Sequence, residues 1–464
     1  MDAIAKLKNK LKIAVIGDAM IDVYYSGHVS RVSPEFPVQV LHSPIDIPDY
    51  LPGGAANVCY QMKHFNVECS LVSFLDKEAY RLLSKHNLDT LYCVDLGQEQ
   101  QIPRKIRFYD NDFPLLRWDI EQTYSGNNNV LLQQLSYLFQ RGIDVAILSD
   151  YNKGVFTSSI LTSQIIELCK KHNIPTLVDP KAKPVEKWKG CTVFKPNSAE
   201  AELLTGEKYW KRQAEVLTKQ LSCKGIVITQ QGKGVVGICD GEFFEYYTNY
   251  QLGPKEVNSV IGAGDCFAAV LAMGIGNNIN LKDACVLAFE GGIEYVKARH
   301  NRPITLYDIR KRLDSVNAKL IDLEELIYLR EHFPENWVWT NGCFDILHSG
   351  HLETLKFAKK QGTHLVVGVN SDESIKRLKG QSRPIIDLQE RMKMLSALEY
   401  VDFVVSFEEN TPYELIKKLK PDIIVKGGEY QEEKIVGHDL AKVVLAPYKD
   451  GISTSSIIDK ICRI

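Results

Sequence analysis

VIGAGDCFAAV, residues 260–270, sets two glycines and an acid where a helix should begin. Gly262 and Gly264 are poor helix formers, yet Phe267 to Ala272 follow as an apolar helical run. A helix N-terminus carries unpaired N–H groups and a partial positive charge, and glycines let those amides approach an anion closely. Gly262, Ala263 and Gly264 are therefore a candidate anion hole. Asp265, in the first turn, is a candidate base for an attacking hydroxyl. The plainer alternative is an acidic cap after a glycine-rich turn.

Outward from this stretch, short β-branched runs recur: KIAVIGD (12–18), VAILSD (145–150), TLVDPK (176–181), TVFKPN (192–197) and GIVITQ (225–230). Helical patterns such as SSILTSQIIELCKKHN (158–173) lie between them. Strands alternating with helices predict an α/β fold with a mostly parallel sheet covered on both faces. Several runs end in an acid or Asn, at the end where open α/β sheets place ligands. PGGAANV (52–58) is a second small-residue turn entering a helix, and Asn57 is placed there to bond a polyhydroxy ligand. GKGVVG (232–237) matches the G-x-G-x-x-G pattern, but β-branched VVGICD follows where a helix would be required, so a hairpin turn is expected.

Taken in order, the Gly-Asp strand ending at Asp18, the G-G-x-x-N of Gly53, Gly54 and Asn57, the N-x-x-E of Asn197 and Glu200, and GAGD resemble the ribokinase-type carbohydrate kinases over about residues 10–310. The resemblance implies Asp265 as base and the 262–264 amides as anion hole. It also implies that Asn197 and Glu200 organise Mg²⁺ and the phosphates of ATP, with no direct protein ligand to the metal. Asp18, Gly53, Gly54 and Asn57 then fall on the sugar side, and Arg107, Lys153 and Lys181 become candidates for a distal sugar phosphate. Two departures stand out. Ser259 and Ile261 replace the family's usual acid and hydroxyl residue, and Glu290 stands where an Asn is expected near adenine.

A second series begins after the charged stretch 310–336, with the runs WVWTNGCF, HLVVGVN, DFVVSF and DIIVKGG. The boundary is expected near 315, giving a kinase-like domain 1–315, a linker and leading helix 316–336, and a second domain 337–464. In TNGCFDILHSGHLETLKFAKKQG (340–362), His348 and His351 fall at a strand-to-helix junction. Capping histidines or half a zinc site are the plain alternatives, but H-x-x-H supplies only two metal ligands. Together with GISTSSII (451–458) the stretch resembles the H-x-G-H nucleotidyltransferases, implying a Rossmann-like domain. His348 and His351 would stabilise the departing pyrophosphate, Ser453, Thr454 and Ser455 would donate to phosphates, and Lys356 would add charge. Asn341, Gly342 and Phe344 would line the nucleotide side, with Lys379, Arg383 and Lys426 as further phosphate candidates.

Nearly the whole chain, including GDAMIDVYYSGHVSRVSPEFPV (17–38) and NSDESIKRLKGQSRP (370–384), resembles the family of bifunctional heptose-7-phosphate kinase/heptose-1-phosphate adenylyltransferases of ADP-heptose synthesis for bacterial lipopolysaccharide. The resemblance implies two ATP-dependent reactions on phosphosugars and a possible homodimer through the kinase half. The alternative is a nucleotidyltransferase carrying an impaired kinase-like binding domain.

Bulk properties agree with this picture. The chain has 464 residues, 45% hydrophobic and 25% charged, with a formal net charge of −2, so neither nucleic acid nor an anionic membrane is an expected partner. Eleven cysteines without a C-x-x-C pair, and no leader-like apolar stretch, predict a reducing, cytoplasmic setting.

Overall fold

The computed structural model describes residues 2–461 apart from 44–47, 112, 182, 249–252, 254–255, 258, 299–301, 428–430 and 448–453. The chain forms two compact units, Met1–Ile309 and Arg310–Ile464.

In the first unit an eight-stranded sheet runs in the spatial order Glu242–Tyr247, Gly234–Cys239, Gly225–Thr229, Val193–Phe194, Thr176–Asp179, Val145–Ser149, Lys12–Gly17, Glu68–Val72. The last six are parallel; the first two return antiparallel. Gly232–Gly237 thus lies on a hairpin rather than a nucleotide-binding strand-to-helix turn. The strand Lys12–Gly17 is buried from its second residue onward, as a strand covered on both faces must be.

A second sheet was not legible in the sequence. Ala19–Val32 pairs with Gln39–His42, Asp49–Gly54 and Arg104–Asp110, and the last of these pairs with Phe113–Ile120. The first six residues of Ala19–Val32 are buried; the next six alternate half-buried with exposed, and the last two are exposed. This half-wet surface lacks the continuous apolar run that marks the central strands.

The helix Ala263–Gly276 is buried at every residue from Asp265 to Gly274. It packs against Leu281–Lys297 so closely that a Cβ on Gly274 would sit 2.5 Å from the Ala284 Cβ. A helix apolar all round belongs inside a core, which fixes its N-terminus at the carboxyl edge of the sheet.

The second unit has one parallel sheet in the order Phe403–Phe407, His364–Asn370, Trp337–Gly342, Ile423–Gly427, Lys442–Ala446. Numbered along the chain this is 3-2-1-4-5, with its reversal beside Trp337–Gly342. That is the doubly wound arrangement whose ligand crevice lies at the switch point. Val338, Leu355, Val367 and Leu395 form part of its core. Among the described residues, no helix is long and apolar enough to cross a membrane.

Candidate active sites

In the first unit Asp265 is only 5% exposed, and both its oxygens are occupied. Asn57 Nδ2 donates to Oδ2 at 2.6 Å, and the Tyr151 hydroxyl donates to Oδ1 at 2.6 Å. Burial pushes its pKa up to about 6, with the charge of Asp179 adding to the rise; the two hydrogen bonds and Lys195 pull the other way. A carboxylate poised there suits a general base near neutral pH.

Gly262 caps the helix in the left-handed conformation, φ 80°. A Cβ there would come within 2.5 Å of the Tyr295 hydroxyl and 2.7 Å of Asn57 Nδ2. Around Gly264 the reverse holds: a Cβ would meet nothing within 4 Å, so open space faces the first amides of the helix. A cleft of about 170 Å³ brings together Gly262, Gly264, Asp265, Lys181, Asn197 and Glu200, with Tyr151, Asp179 and Lys195 also in its wall.

Asn197 and Glu200 form a reciprocal capping box on the helix Ser198–Thr205. Glu200 also accepts from Lys181 Nζ at 3.1 Å. Asp179 is paired with Lys195 at 2.9 Å, and burial raises its pKa. Among the described residues no cluster of three or more His, Cys, Asp or Glu could hold a metal ion. Glu200, Asn197 and Asp179 line the cleft, and a few oxygen donors of this kind fit Mg²⁺, an ion bound through one or two carboxylates together with substrate phosphates and water.

The expected sugar-side residues divide: Asp18 and Gly54 hold a loop, while Gly53 and Arg107 meet at Asp22. Asp18 is fully buried and accepts from Tyr151 N, Lys153 N, Val155 N and the Tyr124 hydroxyl, at 2.8–3.1 Å. It fastens the 151–155 loop and offers a sugar nothing directly. Gly54 (φ 58°) backs that loop: a Cβ would fall 2.4 Å from the Asp18 carbonyl oxygen and 3.5 Å from the Tyr151 ring. Lys181 lies in the Asp265 cleft, paired with Glu200. Lys153 Nζ pairs with Glu121 at 2.8 Å. Arg107 donates to Asp22 at 2.6 Å, and its Nε is buried without a partner. Gly53 stands against Asp22, where a Cβ would fall only 2.9 Å from Oδ2.

Sequence reasoning missed Asp22, Tyr151, Asp179 and Lys195. Asp22 lies four residues past Asp18 in GDAMID, and Tyr151 directly follows a strand-end acid; those positions were the available signals. Ser259 Oγ accepts from Ile261 N at 3.2 Å, within the turn that leads into Gly262.

In the second unit His348 caps the helix Ser349–Lys359 with its backbone alone; its side chain makes no capping bond. The His348 and His351 rings stack with centroids 3.8 Å apart. The Nδ1 atom of each is buried without a hydrogen-bond partner. Burial, then His348 and Lys379, lowers the His351 pKa to about 4; burial also lowers that of His348. Both rings are therefore neutral at pH 7, with unsatisfied nitrogens at the switch point of the sheet.

Phe344, expected to line the nucleotide, is instead a core residue, 6% exposed. Its ring lies 5.1 Å from that of His351 and supports it, and Gly342 leaves room for that ring. Lys426 donates to the Asn341 carbonyl at 2.8 Å, and burial brings its pKa down to about 8. Arg383 is paired with Asp345, whose other oxygen accepts from Ile385 N and Ile386 N. Lys356 is exposed. Ser453 and the side chains of Thr454 and Ser455 lie outside the described residues; the helix Thr454–Ile461 begins there.

Residues 10–292 match the pfkB family of carbohydrate kinases, and residues 339–460 match the cytidylyltransferase-like family. The bifunctional protein HldE of Campylobacter jejuni is 37% identical over 98% of each chain. That of Nitratiruptor is 36% identical over 97% of this chain and 99% of its own. Among solved structures, Escherichia coli phosphofructokinase-2 with potassium covers 65% of this chain and 97% of its own, with a TM-score of 0.53 and 16% identity. Arabidopsis thaliana ribokinase with ribose and ATP covers 66% and 99%, with a TM-score of 0.50 and 16% identity. These likenesses concern the fold alone and carry the ribokinase-like architecture of the first unit. With both halves matched and curated relatives aligned from end to end, the chain belongs to the HldE family of bifunctional proteins, a pfkB-type carbohydrate kinase joined to a cytidylyltransferase-like nucleotidyltransferase.

Proposed function

We propose that the first unit transfers the γ-phosphoryl group of ATP to the C1 hydroxyl of D-glycero-D-manno-heptose 7-phosphate. The product is a 1,7-bisphosphate; after a separate phosphatase has removed the 7-phosphate, the second unit joins AMP from ATP to heptose 1-phosphate, giving ADP-heptose and pyrophosphate. The observation that carries this reading is the buried Asp265 carboxylate at the mouth of the Gly262–Gly264 amides. Asp265 takes the proton of the attacking hydroxyl, while the amides receive the charge gathering on the transferred phosphoryl group. Lys181, Lys195 and the Asn197–Glu200 box face the phosphates, and Asp22 with Arg107 faces the sugar. Mg²⁺, when bound, neutralises phosphate charge; Glu200, with Asn197, is the protein group proposed to orient its waters.

In the second unit no base is needed, because the attacking phosphate oxygen is already anionic. His348 and His351 offer their ring nitrogens to the leaving pyrophosphate, Lys426 supplies charge beside Asn341, and residues 453–455 donate to phosphate. An impaired kinase-like domain is not favoured, since the curated relatives that align end to end share the bifunctional name.

A homodimer through the kinase half is part of the proposal. The strand Phe113–Ile120 leaves Phe113, Leu116 and Trp118 exposed, as a surface covered by a second copy would. The substrates and the free cysteines suit the cytoplasm.

The test is ³¹P NMR of the purified chain with ATP, Mg²⁺ and heptose 7-phosphate, then with heptose 1-phosphate. An anomeric phosphate signal in the first case and a sugar diphosphate signal in the second support the proposal. Absence of either removes that half.

A further inference from the structure

We propose that Tyr151 is a positioning residue of the kinase half: its phenol holds Asp265 as an oriented carboxylate, and Asp18 acts on the reaction only through the loop that carries Tyr151. The inference rests on the reading of Asp265 as the base.

The geometry is a chain of three links. Asp18 ends the first strand and takes the backbone amides of Tyr151, Lys153 and Val155 on its two oxygens. Three amides on one carboxylate leave the loop a single conformation. Asp150, at the head of the loop, is tied to the buried Lys187 at 3.0 Å, which fixes the other side. From this frame the Tyr151 hydroxyl reaches Asp265 Oδ1 at 2.6 Å.

The phenol is a dependable donor. Burial, then the charges of Asp265 and Asp179, raises its pKa well above the usual range, so it keeps its proton wherever the kinase works. A donor to a carboxylate favours the ionised form, opposing the burial that pushes Asp265 towards protonation. Tyr151 thus offsets the desolvation of the base while fixing its rotation. The other groups facing this pair are Asn57, Asp22, Asp179, Lys105, Lys195, Tyr295 and Cys266. Of these, Asn57 shares with Tyr151 the work of donating to the Asp265 carboxylate, one side chain to each oxygen.

The experiment compares the native chain with Tyr151→Phe, which keeps the ring against Gly54 and removes only the hydroxyl. Loss of a donor to the ionised form raises the base's pKa, so the acidic limb of kcat for sugar phosphorylation moves to higher pH, by about one unit, or tenfold in rate on that limb. KM for ATP and adenylyl transfer by the second unit stay at native values, the latter reporting that the variant chain is folded. A limb that does not move overturns the proposal, as does a rise in sugar KM with the limb in place, which would make Tyr151 a substrate contact. ¹³C NMR of aspartate-carboxyl-labelled chain, with Asp265 assigned by the signal that Asp265→Asn lacks, reads the same midpoint without turnover. A native chain that fails to turn over would remove the reading of Asp265 as base. The labelled carboxyl would still decide whether Tyr151 governs its ionisation: a midpoint raised in Tyr151→Phe supports the proposal, and an unchanged one contradicts it.

Discussion

Asn57 and Asp265 meet across 208 positions of sequence, the Asn57 side-chain amide donating to Asp265 Oδ2 at 2.6 Å. The contact joins the N-terminal turns of two helices, Ala55–His64 and Ala263–Gly276. It also sets Asn57 between Asp265 and the tight Gly262 turn, since Gly262 stands against the same amide.

Asn57→Ala leaves a buried carboxylate oxygen without its donor. A hydrogen bond to a charged group is worth about 1.5–3 kcal/mol, so kcat for sugar phosphorylation at pH 7 should fall about 10- to 100-fold. Steady-state kinetics on both half-reactions check this, with adenylyl transfer expected at the native rate.

The raised pKa of Asp265 couples activity and stability to pH in opposite directions. Only the ionised form accepts a proton, so kinase activity should halve near pH 6 and fall tenfold per unit below it. Between the unfolded value near 4 and about 6 the native state holds the proton more tightly, so this group's contribution to stability is full below that window and declines as pH rises through it. Asp265→Asn, always neutral, should gain on the order of 1 kcal/mol over the native chain at pH 7.5 and lose that advantage at pH 4. Denaturant melts of the first unit at the two pH values read it.

His348 and His351 start neutral with buried, unpartnered Nδ1 atoms. A triphosphate beside them favours the protonated rings, so ATP binding to the second unit should take up protons and tighten as pH falls from 8 to 6. Calorimetry in buffers of different ionisation heats measures the uptake, with Asp265→Asn present to keep the kinase half from turning over. His351→Ala should cut adenylyl transfer by about 100-fold or more.

Lys426 is depressed to about 8 by burial, so its charge is already weakening at mildly alkaline pH. Adenylyl transfer should decline above pH 8 as that ammonium deprotonates, chiefly through a rising KM for the sugar phosphate. Lys426→Met should show the high KM at every pH and no alkaline limb. For stability the sign reverses: a lysine with a depressed folded pKa costs most when charged, so the variant should be more stable than the native chain at pH 7.

The central strands of the two parallel sheets were legible because covered strands must be apolar along their length, as Ile13–Ile16 and Leu365–Val369 are. The helix Ala263–Gly276 was legible for the same reason, and its glycines marked its N-terminus. The second sheet of the first unit was hidden because strands such as Phe113–Ile120 are wet on most residues and resemble loops. Among site residues, those on a fixed motif could be named, while those defined by long-range contact could not. Tyr151 looks like any loop tyrosine until the fold carries it 114 positions to Asp265. Asp18 showed the opposite error, because a strand-end acid that fastens a loop has the same sequence as one that binds a ligand.

The most direct test of two independent active centres on one chain measures both half-reactions in Asp265→Asn and in His351→Ala. The account predicts that Asp265→Asn loses ATP-dependent phosphorylation of heptose 7-phosphate while still releasing pyrophosphate from ATP and heptose 1-phosphate, and that His351→Ala does the reverse. Loss of both reactions in either folded variant, or survival of phosphorylation in Asp265→Asn, would contradict it.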